Sequence, residues 1–221
     1  MPLIPNRFLF RVSHPCPHAP GIPDDDDELF HLGDECRLDG FAEMDGRREF
    51  ADLRLAWNDE GLAVELDVRG KERVPEGDAD KPRHSDGLSL WIDTRDSRGS
   101  HRASRFCHQF HFLPRGGGSE RDEAVFVQSK INRALADAPM APAGAVALRA
   151  RVRGTGYRLA AFLSAEALTG FDPGQNPRLG IFYVVRDAEL GEQALTAHAD
   201  LPYAEDPTLW GVLELVRGEG R

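Results

Sequence analysis

Apolar residues recur at every second position along most of this chain, and a two-residue period marks a strand with one face in a core rather than a helix. Between 53 and 68, Leu53, Leu55 and Trp57 alternate with polar or small residues, Asn58-Asp59-Glu60-Gly61 supplies turn chemistry, and Leu62, Val64, Leu66 and Val68 resume the alternation. That pattern predicts a β-hairpin. Leu88, Leu90 and Ile92 alternate with Ser89, Trp91 and Asp93, and Phe106, His108, Phe110 and Phe112 with Cys107, Gln109 and His111, so strands are expected over 87–93 and 106–113. A shorter candidate covers 124–128. Val146, Leu148, Ala150 and Val152 interleave with Ala147, Arg149, Arg151 and Arg153, and after Gly154-Thr155-Gly156 the residues Tyr157, Leu159, Ala161 and Leu163 read as the returning partner. Ser164 is placed to cap a short helical turn over 165–168, which Gly170 ends. Strands over 179–186 and 210–216 bring the count to about nine, which suits an all-β fold: an antiparallel two-sheet sandwich with short helical turns. No repeat or linker divides residues 1–221, so one domain is expected, with 1–28 as an irregular amino-terminal arm.

Composition narrows the function classes. The 221 residues are 41% hydrophobic and 29% charged, enough for a folded core, and the formal charge is −10. That charge repels polyanions at long range, so no nucleic-acid partner is expected. No apolar run approaches the ~20 residues of a bilayer span, so no membrane partner is expected either. The first ten residues, broken by Pro2, Pro5 and Arg7, lack the continuous apolar core of an export signal, which points to the cytoplasm. Cys16, Cys36 and Cys107 are odd in number and widely spaced, a pattern for reduced thiols rather than a disulfide framework or a zinc knuckle. No nucleophile elbow, HExxH or phosphate loop is present, although 37 acidic residues leave a paired-carboxylate site open.

Five segments in order, ADLRLAWNDEGLAVELDV from 51, DGLSLWIDTRD from 86, GYRLAAFLSAEAL from 156, LGIFYVVRD from 179 and DPTLWGVLELV from 206, resemble the family-nine carbohydrate-binding modules, which are related to the DOMON group. The resemblance implies an antiparallel sandwich that holds an oligosaccharide or polysaccharide by aromatic stacking and often carries structural calcium. The expected function is therefore non-catalytic carbohydrate binding. An interaction scaffold that has lost the sugar site, or an enzyme of unknown chemistry, are the alternatives.

Candidate contacts follow from parity. Leu88, Leu90 and Ile92 claim the core face of their strand, so Trp91 lies opposite with Ser89 and Asp93; it is either a partly exposed stacking platform or a second core residue under a covering loop. Trp57 and Trp210 alternate with core positions and are expected inside. Gln109 and His111 have the parity to join Trp91 if the two strands neighbour each other. Cys107 and His111 are four residues apart on one face, roughly 13 Å along a strand, and His108 points the other way, so this run does not converge on a metal. Calcium, if bound, has candidate ligands in Asp86, Asp93 and Asp96 and in the run 24–28. Arg95, Arg98 and Arg102 concentrate positive charge in the polar loop 94–105. They suit an acidic glycan, or else pair with Asp93 and Asp96 on a solvated loop. The polar segment 69–85 is a second candidate loop.

Overall fold

The computed structural model describes residues 12–23, 29–41, 48–97, 99–196 and 201–218. Among them run eleven strands: β1 (Ser13–Pro17), β2 (Ala51–Asn58), β3 (Gly61–Arg69), β4 (Gly87–Asp93), β5 (Cys107–Gly117), β6 (Glu123–Ser129), β7 (Val146–Arg153), β8 (Gly156–Ser164), β9 (Arg178–Asp187), β10 (Gly191–Ala194) and β11 (Gly211–Val216). They form two layers. The larger sheet has the order β1-β11-β9-β4-β5-β6, with β10 also pairing to β9, and the smaller has the order β2-β3-β8-β7. Every pairing is antiparallel except β1 with β11.

The expected hairpin is β2–β3, with Leu53 opposite Leu66 and Leu55 opposite Val64. Alternation puts these residues, Leu88, Leu90 and Ile92 of β4, and Tyr183 of β9 into one core between the sheets. Trp57 and Trp210 are buried, as their parity requires. Each fully buried large apolar side chain contributes about 1.5–3 kcal/mol over its exposed state, which makes this layer the main source of cohesion. On β8 the tight approach to β3 demands a glycine. A Cβ on Gly156 would lie 1.9 Å from the Val68 carbonyl oxygen, where φ is +153°.

Three expectations are corrected. Eleven strands replace about nine, because β1 and the short β10 were not expected. The arm 1–28 is not irregular throughout: Ser13–Pro17 pairs in parallel with β11 from Ser13 opposite Val212 to Pro17 opposite Val216. Its prolines hid it, yet an edge strand tolerates proline because one side of its backbone has no ladder to complete. Residues 165–168 form a hydrogen-bonded turn, Ala167 N–H to Ser164 O at 2.9 Å, rather than a helix. The short helical pieces among the described residues are instead 3₁₀ turns at Asp34–Cys36, Pro82–His84 and Pro207–Leu209. The acidic run 24–28 and Arg98 lie outside the described residues. No helix among the described residues is long and apolar enough to cross a membrane.

Candidate functional site on the outer face of the larger sheet

Pairing brings the sequence candidates together. Trp91 lies beside Gln109 on β5 and Phe182 on β9, and Ser89 lies beside His111 and Val184. All six share the face of the larger sheet that points away from the core between the sheets. Exposure differs from expectation. Trp91 is 3% exposed and Gln109 and His111 are 0% exposed, so none of them is a surface for a ligand. The expected platform at Trp91 is corrected to the second alternative, an aromatic residue beneath a covering loop.

The cover comes from two directions. The 3₁₀ turn Pro82–His84 carries Arg83 to β5, where its Nη2 donates to Gln109 Oε1 at 2.9 Å. From the segment between β10 and β11, Tyr203 stacks on Phe182 with ring centroids 4.5 Å apart and meets Trp91 edge-on at 5.6 Å. Trp210 of the core holds Tyr203 from behind, its Nε1 donating to the Tyr203 carbonyl at 2.7 Å. Ser89 and Asp93, whose polarity argued for solvent beside Trp91, are satisfied internally: Ser89 Oγ is 2.8 Å from His111 Nδ1, and Asp93 accepts from the N–H groups of Arg95 and Ser97.

These contacts form a directed chain. Because the Gln109 carbonyl oxygen accepts from Arg83, its amide nitrogen faces His111 and donates to Nε2 at 3.2 Å. His111 therefore carries its proton on Nδ1 and donates to Ser89 Oγ. Burial, reinforced by the Arg83 charge, pushes the His111 pKa down to about 4, so the ring is neutral near pH 7.

Above this layer Tyr203 is half-buried. Burial and the charge of Glu192 raise its phenol pKa, while the charges of Arg186 and Arg83 act the other way. Arg186 and Glu192 are cross-strand partners and form an ion pair. The result is a half-buried aromatic ring on an aromatic floor of Phe182 and Trp91, whose hydroxyl feels the charges of Arg83, Arg186 and Glu192. Sequence reasoning missed Tyr203, Arg83, Arg186 and Glu192. The local signals were the polar segment 69–85, which contains Arg83, and Tyr203 itself, one of three tyrosines, in a stretch with no strand periodicity.

The arginine loop has other employment. The Arg95 and Arg105 guanidiniums lie over the Phe106 ring at 5.1 and 5.0 Å, and Arg102 donates to the carbonyls of Arg133 and Ala134. Asp96 pairs with Arg178 at 3.3 Å.

The calcium candidates do not fit that ion. Asp86 accepts from Lys71 Nζ at 2.8 Å and from the N–H groups of Glu76 and Ala188, and Asp187 accepts from the same Nζ at 2.7 Å and from the N–H groups of Glu189 and Leu190. Lys71, one of three lysines among 27 basic residues, already supplies the positive charge between the two carboxylates. Asp93 is engaged by backbone donors and Asp96 by Arg178. Among the described residues no group of three or more His, Cys, Asp or Glu is arranged to hold a metal. The three cysteines are buried and free, and burial pushes the Cys107 thiol up to about 11, so it is no nucleophile.

This two-sheet sandwich is the fold of the family-nine carbohydrate-binding modules. Two solved structures of such a module from Caldicellulosiruptor kristjanssonii are similar to the chain: one in complex with cellotriose, at 12% identity and TM-score 0.60, covering 95% of each chain, and one in complex with glucose, at 11% identity and TM-score 0.62, covering 95% of this chain and 98% of that one. A putative carbohydrate-binding protein from Bacteroides uniformis is similar over 75% of this chain and 78% of its own, at 12% identity and TM-score 0.54. No family model matches the sequence, and no curated protein does.

Proposed function

We propose that the chain is a non-catalytic saccharide-binding module whose ligand lies on Tyr203, with Arg83, Arg186 and Glu192 at the rim. The carrying observation is the half-buried Tyr203 ring braced by Phe182 and Trp91; the charges of Arg83, Arg186 and Glu192 act on its hydroxyl. An apolar sugar face stacks on such a ring, and forked guanidinium donors with a carboxylate acceptor suit its hydroxyls. The module likeness, with cellotriose and glucose in the solved neighbours, supports the same reading. Two guanidiniums against one carboxylate favour a sugar bearing an acidic group, so the acidic-glycan expectation moves from the 94–105 loop to this rim. Lys71 rather than calcium joins Asp86 and Asp187 in this reading.

Thermal unfolding with glucose, cellotriose and glucuronate oligosaccharides tests it, since a ligand that binds only the native state raises the midpoint. The expected result is a rise for wild type that is lost in Tyr203→Ala and reduced in Arg83→Ala. A Tyr203→Ala protein that keeps the full ligand-induced rise, or a wild type that responds to no saccharide, ends the proposal.

A further inference from the structure

The outer face of the smaller sheet plays no part in the saccharide reading, and register sets its side chains in rows across the strands. One row is apolar, with Ala56, Ala63, Phe162 and Ala147 as partners, and Phe30, Leu32 and Cys36 pack on it. The following rows are charged: Arg54, Glu65, Ala160 and Arg149, then Asp52, Asp67, Arg158 and Arg151. Charge is unevenly shared along them. The acids sit on β2 and β3 and are already paired, Asp52 with Arg54 at 3.0 Å, Glu65 with Arg158 at 2.7 Å and Asp67 with Arg69 at 2.6 Å.

The β7 end of those rows has no carboxylate. Arg151 is exposed and lies directly opposite Arg158, a like-charge pair that costs stability. It meets no acid among the described residues. Arg153, about 6.7 Å further along the strand, reaches Asp67 only at 3.7 Å and shares it with Arg69. Across the sheet only Gly156 separates Arg153 from Arg69. Arg69 in turn lines a cleft of about 410 Å³ with Arg37, Arg48, Phe50 and the carboxylates Glu49, Asp52 and Asp67, where Arg37 pairs with Glu49 at 3.5 Å and Arg69 with Asp67. Arg48 is a second exposed arginine without an acid partner among the described residues. Cations with no acid partner among the described residues, in a chain of formal charge −10, suit an anionic partner.

We propose that this surface binds a polyuronate chain, an acidic polysaccharide with a carboxylate on each sugar, running from the cleft at Arg48 and Arg69 to Arg153 and Arg151. Planar guanidiniums take carboxylates as two-pronged partners, and Glu49 and Phe50 in the cleft offer an acceptor and an apolar face to a sugar ring. Nucleic acid fits less well. A duplex, with one negative charge per ~1.7 Å of axis, meets more opposition from the net negative charge than a polymer with one carboxylate per sugar, and a single strand would find only Phe50 of the cleft lining to stack its bases on.

The test titrates oligogalacturonates into wild type and the Arg151→Glu, Arg48→Glu and Tyr203→Ala variants, with thermal unfolding of each as the folding control. Wild type is expected to bind at low ionic strength and to weaken as salt shortens the screening length to about 10 Å at 0.1 M. Each arginine reversal is expected to weaken binding about fivefold or more, and Tyr203→Ala to leave it in place. Without ligand, Arg151→Ala should melt no lower than wild type, because it removes a repulsion. No binding by wild type at low salt, salt-insensitive binding, unchanged affinity in both reversals, or tighter binding of single-stranded poly(U) overturns the proposal. Binding lost only in Tyr203→Ala also overturns it, while sustaining the Tyr203 site; oligogalacturonate binding that survives Tyr203→Ala, in a protein whose response to glucose, cellotriose and glucuronate oligosaccharides does not depend on Tyr203, does the reverse.

Discussion

Replacing Lys71 with methionine keeps its aliphatic stem and deletes its charge, which isolates one interaction. The ammonium is 2% exposed and contacts Asp86 at 2.8 Å and Asp187 at 2.7 Å, carboxylates that are 3% and 0% exposed. At an effective dielectric constant of 20 each pair is worth about 6 kcal/mol of attraction. Desolvation of three ions consumes several kcal/mol apiece, so the net value of the cluster is small. Lys71→Met removes the attraction but leaves two buried carboxylates facing each other. The expected loss is about 3–5 kcal/mol, as for breaking a buried pair, or a fall in Tm of roughly 6–20 °C for a domain of this size. Thermal and urea unfolding at pH 7 measure it. Adding Asp86→Asn and Asp187→Asn to Lys71→Met should restore part of the loss, since no unpaired charge then remains. The alkaline limb gives a second readout. Burial alone would lower the Lys71 pKa, but hydrogen bonds to Asp187 and Asp86 outweigh it and raise the pKa. A folded-state pKa above the unfolded value means that the contribution is complete below about pH 10.4 and fades as pH rises beyond it; Lys71→Met should lack that fading. A loss under about 1 kcal/mol in the single variant would refute the reasoning.

Because Lys71 fills the cation's role, excess calcium or a chelator should leave the wild-type Tm unchanged; a calcium-dependent rise would contradict the donor assignments at Asp86 and Asp93. His108 and His111 both have pKa values pushed down to about 4 by burial, so the unfolded chain takes up protons first as pH falls from about 6.5 to 4. Each should withdraw at most about 3 kcal/mol of stability across that window, seen as a falling urea midpoint; a flat profile, or one unchanged in His111→Gln, would show that the rings are not held neutral by burial. Trp91→Ala should cost about 3–5 kcal/mol as a cavity in the Phe182 and Tyr203 stack, and acrylamide should quench the native Trp91 emission poorly. An unchanged melting temperature would return Trp91 to the surface.

The legible part of the molecule is what local periodicity encodes. Alternation at 53–68, 87–93 and 146–163 named strands that are observed, and parity put Trp91, Gln109 and His111 on one face because no bulge interrupts β4 or the first half of β5. What covers that face was not legible. Tyr203 is 112 residues beyond Trp91 and lies in a turn, so no period connects the two residues. Lys71 lies in the segment after β3 and Asp187 at the end of β9, 116 residues apart, and nothing in the polar stretch 69–85 distinguishes a buried ammonium from a solvated one. β1 failed for a related reason: its two buried residues, His14 and Cys16, are too few among prolines to show an alternation.

The parallel pairing of β1 with β11 also orders events during synthesis. Ser13 is made about 200 residues before its partner Val212, so β1 must wait for the last described strand before it finds its place. Closing so long a loop costs little more free energy than closing one half its length, but contacts this distant in sequence slow the search. The antiparallel neighbours β2–β3, β4–β5 and β7–β8 can pair as they appear, leaving β11 as an open edge until the waiting segment adds to it. Until then β11 presents unpaired N–H and C=O groups to any extended chain nearby. A nascent or truncated form lacking 13–17 would be prone to recruit another molecule's strand in place of its own.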